Sequence, residues 1–252
     1  MAQNRSSAVM QQRAEAHDSL DDFPTPPWAT RALCEFLVKQ GQPLHLQEVW
    51  EPACNRGHMV LPLGEYFDRV HASDVHDYGF HGQTLVSDFL VDWSQDAPDV
   101  DWVITNPPFK MGADFIQQGL RYARRGVAMF VRSAFVEGAD RYRTLFRDRP
   151  EAFTLPFVER VVIWKGVLLD PDVPVWHAPK GDKPGEMKKP ASATAYSWLI
   201  WQSGRNAPTE QHRIPPCRRA LTRPGDYPPV PEHLRAPVPP AGGLLDLAES
   251  AS

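Results

Sequence analysis

Cysteine is scarce in this 252-residue chain, with only Cys34, Cys54 and Cys217. An odd number at such wide spacing excludes a disulfide framework. The nine histidines form no CxxC-linked or HExxH pattern. His71, His76 and His81 read as loop and strand-end residues, and no metal site is expected. No apolar run approaches the ~18 residues that a membrane span requires. The opening stretch MAQNRSSAVMQQRAEAHDS holds no apolar signal core. The expectation is a cytoplasmic protein without a membrane partner. An excess of positive charge is also missing. The formal net charge of −4 argues against indiscriminate coating of nucleic acid, while a local basic face remains compatible with it. Internal repeats are absent.

What is present is a hydrophobic fraction of 42%, enough for a real core. The length suits one α/β domain with appendages. Residues 1–20 are polar and read as a flexible arm. A helix is expected over 26–40, started by Pro26-Pro27 and stopped by Gly41. Strands and helices then alternate. Strands are expected at 48–52, 69–74, 84–88, 101–105 and 126–132, with helices at 57–67, 112–125 and 138–148. Two further strands, 160–164 and 195–201, are rich in β-branched and aromatic residues and lack a helix between them. The pattern predicts an α/β fold with a mainly parallel, seven-stranded sheet and an antiparallel edge pair. Residues 165–194 hold five prolines and read as a long loop, the kind of segment that is often functional. The domain is expected to span 21–202. Residues 203–252 carry ten of the 26 prolines and read as a tail without a core of its own.

Several short motifs fall at the ends of expected strands. Glu51-Pro52-Ala53-Cys54-Asn55-Arg56-Gly57-His58 follows one strand and opens a helix. A Gly-containing turn there lets a ligand approach the backbone, and the helix N-terminus adds donors. Asp74 ends the next strand, where an acidic residue usually meets ribose hydroxyls in nucleoside-binding α/β folds. Asp88 ends the strand after that and is placed to accept from an adenine amino group, with Phe89 or Leu90 against the ring. Asn106-Pro107-Pro108-Phe109 directly follows DWVIT. Two prolines stiffen that turn and remove two N–H donors. Its rim is then all acceptors, which suits an incoming –NH2 group, and Phe109 offers a face for stacking a planar group. Phe23-Pro24-Thr25-Pro26 precedes the first helix.

These residues resemble the class I amino-methyltransferases, which include the N6-adenine and N4-cytosine DNA enzymes. NPPF after a strand and an acidic-Pro-Ala turn upstream carry the resemblance, over roughly residues 20–202. The F-x-T-P element ahead of them is similar to the cofactor-binding segment of the N6-adenine group. Small size and a late aromatic strand pair look most like phage or prophage adenine methyltransferases. The resemblance implies a Rossmann-like methyltransferase fold with S-adenosyl-L-methionine as cofactor. Phe23, Thr25 and Pro26 would line its methionine end. Glu51, Ala53, Asn55 and Gly57 would form its turn. Asp74 would hold the ribose, and Asp88 with Phe89 would meet the adenine. Asn106 and the Pro107 carbonyl would accept from the target amine, with Pro108 stiffening the corner and Phe109 stacking on the target. One position departs from the pattern. Asn55 stands where a glycine is expected, and asparagine tolerates left-handed backbone better than most residues.

The implied partner is DNA. An RNA base or a protein glutamine amide is the alternative substrate, since near-identical tetrapeptides serve both. A catalytically inactive nucleic-acid-binding module of the same fold is a third reading. Candidate phosphate contacts are Lys180, Lys183, Lys188 and Lys189 in the long loop, and Arg213, Arg218 and Arg219 within an arginine-rich stretch of the tail. Gly242–Leu247 reads as part of that tail.

Overall fold

A computed structural model describes residues 21–91, 93 and 96–237. The expected arm at 1–20 and the end of the tail, including Gly242–Leu247, lie outside the described residues. The strands of the main unit are β1 (Glu48–Glu51), β2 (Arg69–Asp74), β3 (Leu85–Val86), β4 (Val100–Thr105), β5 (Ala123–Arg132) and β6 (Phe153–Pro156). Two more, β9 (Tyr196–Gln202) and β10 (Glu210–Gln211), complete its sheet. The spatial order is β10-β6-β9-β5-β4-β1-β2-β3. All pairings are parallel except those of β9, which runs antiparallel to both β5 and β6.

The sequence builds this sheet by burying both of its faces. Every residue of β4 is buried, as expected of a central parallel strand covered on two sides. Side chains alternate between two cores with the period of two that a strand imposes. Trp102, Ile104, Phe130, Trp198 and Ile200 pack beneath helix α1 (Pro27–Lys39), against Trp28, Leu33 and Leu37. Val103, Val127, Met129, Leu199 and Trp201 face the other way, against Phe115 and Ile116 of a second long helix, Gly112–Tyr122. The architecture is therefore a three-layer Rossmann-like sandwich.

Three expectations are corrected. First, residues 160–164 form no sheet strand; β6 lies earlier, at 153–156. Phe153 and Leu155 are buried and alternate with half-buried Thr154 and Pro156. Val161, Val162 and Ile163 are also buried, but as loop filling. Second, the helix expected at 57–67 shrinks to Val60–Leu63, which contains Pro62 and ends at Gly64. Third, the tail is not without a core. Residues 203–228 belong to the main unit. They add β10 as an eighth strand, bury Ile214, and pack Cys217, Leu221 and Tyr227 on the α1 side.

Residues 170–190 and the described residues 229–237 form a second, smaller unit. The long loop proves to contain an antiparallel hairpin, β7 (Val175–His177) and β8 (Glu186–Lys188). Lys180 and Lys183 exchange backbone hydrogen bonds in its turn, at 3.1 and 3.3 Å. Lys188 approaches Glu186 at 3.8 Å and Lys189 approaches Asp172 at 3.5 Å. No helix among the described residues is long and apolar enough to cross a membrane.

Candidate active site

The carboxyl ends of β1, β2 and β4 meet where the sheet order reverses direction, the usual ligand crevice of an open α/β sheet. A cavity of about 630 Å³ lies there, wholly within the main unit. Phe23, Thr25, Ala53, Asn55, Asp74, Asp88 and Phe89 all line it. The Asn106-Pro107-Pro108-Phe109 turn forms part of the same wall. Pro26, Glu51 and Gly57 are buried behind the wall instead.

The turn after β1 is built for close approach. Asn55 has φ +48° and is the only non-glycine residue with positive φ among those described. Gly57 has φ +82°, and a Cβ there would collide with the Phe80 ring. Asn55 fixes its left-handed backbone with its side chain. Its Oδ1 accepts from the Arg56 N–H at 2.7 Å, and its Nδ2 donates to Asp22 at 2.8 Å. The Asn55 N–H donates to Asp74 Oδ2 at 2.9 Å, and the His76 N–H donates to Asp74 Oδ1 at 3.0 Å. Burial pushes the Asp74 carboxyl above the usual range, although these two donors act against the shift.

Glu51 braces the turn from beneath. Its Oε1 accepts from the Ala53 N–H at 3.0 Å and from the Thr105 hydroxyl at 2.5 Å. Oε2 is buried without a partner. Burial raises this carboxyl to about 8; donation from Thr105 and Ala53 opposes the shift, and the Asp74 charge adds to it. Unfolding near neutral pH therefore releases a proton. The stability that the neutral carboxyl contributes is full below the unfolded value of about 4.3. It is lost as pH rises, and is gone above about 8. A Glu51→Gln variant should gain on the native chain between pH 5 and pH 8, by about 1.4 kcal/mol per pH unit. Urea unfolding of both proteins at several pH values measures the gap; a pH-independent gap means that Glu51 is already ionised in the fold.

The turn after β4 is oriented by the segment preceding α1. Asn106 Nδ2 donates to the Phe23 carbonyl at 2.9 Å. A carbonyl can only accept, so the amide is held with Oδ1 turned from Phe23 and free of protein partners among the described residues. The Phe109 N–H donates to Asp21 at 2.8 Å. Asp22 pairs with Arg56 at 2.9 Å, and burial of its carboxyl is outweighed by Arg56 and Asn55, which hold it below the usual range. Asp21 and Asp22 thus tie the two turns together across the cavity. Thr25 is 2% exposed, and its hydroxyl is buried without a partner at the cavity wall.

Sequence reasoning missed several lining residues. His58 is driven down to about 4 by burial and by Arg56, so it is neutral at pH 7. Tyr78 lies beneath the Arg56 guanidinium at 5.2 Å. Arg132 ends β5 and stands 4.0 Å over the Phe109 ring. Phe23 packs on the same ring at 4.7 Å. Phe109 is therefore not the bare platform expected, because a cation already covers one face. The signal for Arg132 was a charged residue ending the apolar strand GVAMFVR. Of the tail arginines, Arg213 and Arg219 are exposed. Arg218 is half-buried, and its guanidinium and N–H both bind Glu159, at 3.2 and 3.0 Å.

No family model and no curated protein matches this chain. Solved structures do. One is a Listeria monocytogenes protein described as a class I S-adenosylmethionine-dependent methyltransferase. It is 16% identical, with a TM-score of 0.50, over 86% of this chain and 72% of its own. Another is the methyltransferase subunit of a type I restriction-modification system from Streptococcus thermophilus, 11% identical with a TM-score of 0.51. The match covers 75% of this chain but only 46% of that subunit, so the chain spans about half of its length. At such identities the likeness establishes architecture, and the architecture of this chain is the Rossmann-like class I methyltransferase fold.

Proposed function

We propose that this protein transfers a methyl group from S-adenosyl-L-methionine to an exocyclic amino nitrogen, that of adenine N6 in DNA. The observation that carries the reading is the Asn106 amide. Its nitrogen is held by Phe23, and its oxygen is left without a partner on a rigid diproline turn in the wall of the cavity.

The residues present fit the cofactor. The orphaned Thr25 hydroxyl suits the methionine carboxylate. Asp74, already gathering donors, suits the ribose hydroxyls, and Asp88 with Phe89 suits the adenine. The left-handed Asn55 and Gly57 keep the turn open for it, which favours a working enzyme over an inactive relative. When bound, the cofactor supplies an electrophilic methyl group on a sulfonium.

The chain's part is to bind and orient. An adenine amine is a weak nucleophile because its lone pair is delocalised into the ring. Asn106 Oδ1 and the Pro107 carbonyl would each accept one amine hydrogen. That geometry favours a pyramidal nitrogen and turns its lone pair toward the methyl donor. Positive charge grows on nitrogen during transfer, and two preorganised carbonyl dipoles stabilise it. Holding both partners in line supplies much of the remainder. A duplex base must first leave the stack, at about a few kcal/mol. Aromatic packing returns roughly 1–3 kcal/mol, here from whatever part of Phe109 the target reaches beside Arg132.

The test is incubation of the purified chain with labelled S-adenosylmethionine and heterogeneous-sequence DNA, RNA or total protein, followed by digestion to monomers. The expected product is N6-methyldeoxyadenosine. Label only in RNA or in glutamine keeps the chemistry and replaces the substrate. No label anywhere, and no heat on titration with millimolar cofactor, removes the enzyme reading.

A further inference from the structure

Arg132 is an odd residue to find in this cavity. It ends β5, is half-buried, and lines the same cavity as Asn106 and Pro107. Its guanidinium lies 4.0 Å over the Phe109 ring. Among the described residues no carboxylate pairs with it. Its ladder partner on β9 is Tyr196. Its Nε–H is buried and donates to nothing in the protein. A buried donor left unmade is costly, and buried cations are ordinarily paired. Arg31 and Arg218, by contrast, are each paired with a carboxylate. An acceptor from outside the protein would complete the site.

Resting on the methyltransferase reading above, the geometry points to Arg132 as a specificity-determining residue that donates to a ring nitrogen adjacent to the target amine. The neighbouring wall is all acceptor, from Asn106 Oδ1 and the Pro107 carbonyl. One donor beside two acceptors is complementary to an amino group flanked by an unprotonated ring nitrogen. Adenine offers N1 on one side of its amine and N7 on the other. The cation on Phe109 also restricts how the ring enters, because the covered face cannot stack until the guanidinium moves. Arg132 therefore sets the orientation of the target plane as well as its pattern of hydrogen-bonding groups. Two other acceptors could satisfy the same donor, the cofactor carboxylate and a nucleotide phosphate, and the experiment separates them.

Duplexes of heterogeneous sequence are prepared with adenine, 7-deazaadenine or 1-deazaadenine, and kcat/KM for methyl transfer is measured on each. In the native chain one of the two analogues should fall by about 10- to 100-fold, the range of a hydrogen bond to a charged donor. In Arg132→Ala, transfer to adenine should fall, and the difference between adenine and that analogue should vanish. Arg132→Lys retains a cation without the planar fork, and should restore little of the discrimination. A structural role for Arg132 would lower all rates together and leave the analogue ratio intact, which overturns the assignment. So does a native chain that methylates all three duplexes equally. A change confined to the KM for S-adenosylmethionine assigns the donor to the cofactor carboxylate, and a weakening equal on all duplexes assigns it to phosphate; each rejects the ring-nitrogen contact. Absence of transfer to any adenine duplex by the native chain removes the parent reading, and this one with it.

Discussion

Asn106→Ala is expected to lower methyl transfer by about 10²–10³-fold, the scale found when one preorganised polar group is removed from a developing charge. Binding of S-adenosylmethionine should change little, because Thr25, Asp74 and Asp88 stand elsewhere on the cavity wall. The physical reason is specific. Asn106 is held by one bond, Nδ2 to the Phe23 carbonyl at 2.9 Å. That bond fixes which end of the amide meets the target. Asn106→Asp makes the point sharper. It restores an acceptor toward the cavity, yet its second oxygen meets the Phe23 carbonyl, acceptor against acceptor. The carboxylate must rotate or take up a proton, so Asp should recover only part of the lost rate. Single-turnover transfer at saturating cofactor, with calorimetry for cofactor affinity, measures both effects. A fully active alanine variant refutes the role of the turn; equal loss of cofactor affinity and rate means that Asn106 shapes the cavity instead of touching the amine.

The parts of the site that sequence revealed are those that strand ends dictate. Alternating strands and helices place Asp74 and Asn106 at the same edge of a parallel sheet, because parallel strands share one direction. Proline chemistry at 107–108 needs no tertiary information to be read as a turn of acceptors. Asn55 could be read as a left-handed residue because few side chains tolerate that backbone, and it is found at φ +48°. What escaped depends on long-range pairing. Val161–Ile163 look more like a strand than Phe153–Pro156, whose Pro156 lacks an N–H for the ladder. Yet β9 pairs with the latter, and the apolar run is buried without a ladder. Arg132 reads locally as a surface charge, and only the parallel register that sets Thr105 beside Met129 carries it past the end of β4 to the Phe109 ring. The proline-rich tail shows no periodicity, so neither its apolar packing on the α1 side nor its ion pair with Arg31 could be read from spacing.

That attachment makes Arg31→Ala the substitution with the largest expected effect on stability, about 3–5 kcal/mol. Arg31 sits on α1 and is 3% exposed. All five of its N–H donors are used. Nε and one terminal nitrogen grip Glu65 at 2.8 Å, the two terminal nitrogens grip Asp226 at 2.6 and 2.8 Å, and the last hydrogen reaches the Leu221 carbonyl at 2.7 Å. Burial works against the Arg31 charge, but Glu65 and Asp226 outweigh it and hold the group protonated throughout the accessible range. Alanine leaves two carboxylates facing each other around a void. Glu65 keeps Arg223 at 2.8 Å, whereas Asp226, with a side chain 7% exposed, keeps only the Arg223 N–H. Asp226 is thus the costlier orphan. It follows that Arg31→Ala combined with Asp226→Ala should be less destabilised than the sum of the two single variants, by 1 kcal/mol or more on the usual scale of coupled neighbours. Arg31→Lys cannot fork between two carboxylates, and should fall between native and alanine. Because the guanidinium joins α1 to residues 221–226, amide exchange in Arg31→Ala should quicken first at Leu221 and Thr222, ahead of β4 and β5. Urea midpoints give the energies and exchange gives the location. A midpoint within about 0.5 kcal/mol of native, the range of ordinary surface substitutions, would show that the tail is not held to α1 by this arginine.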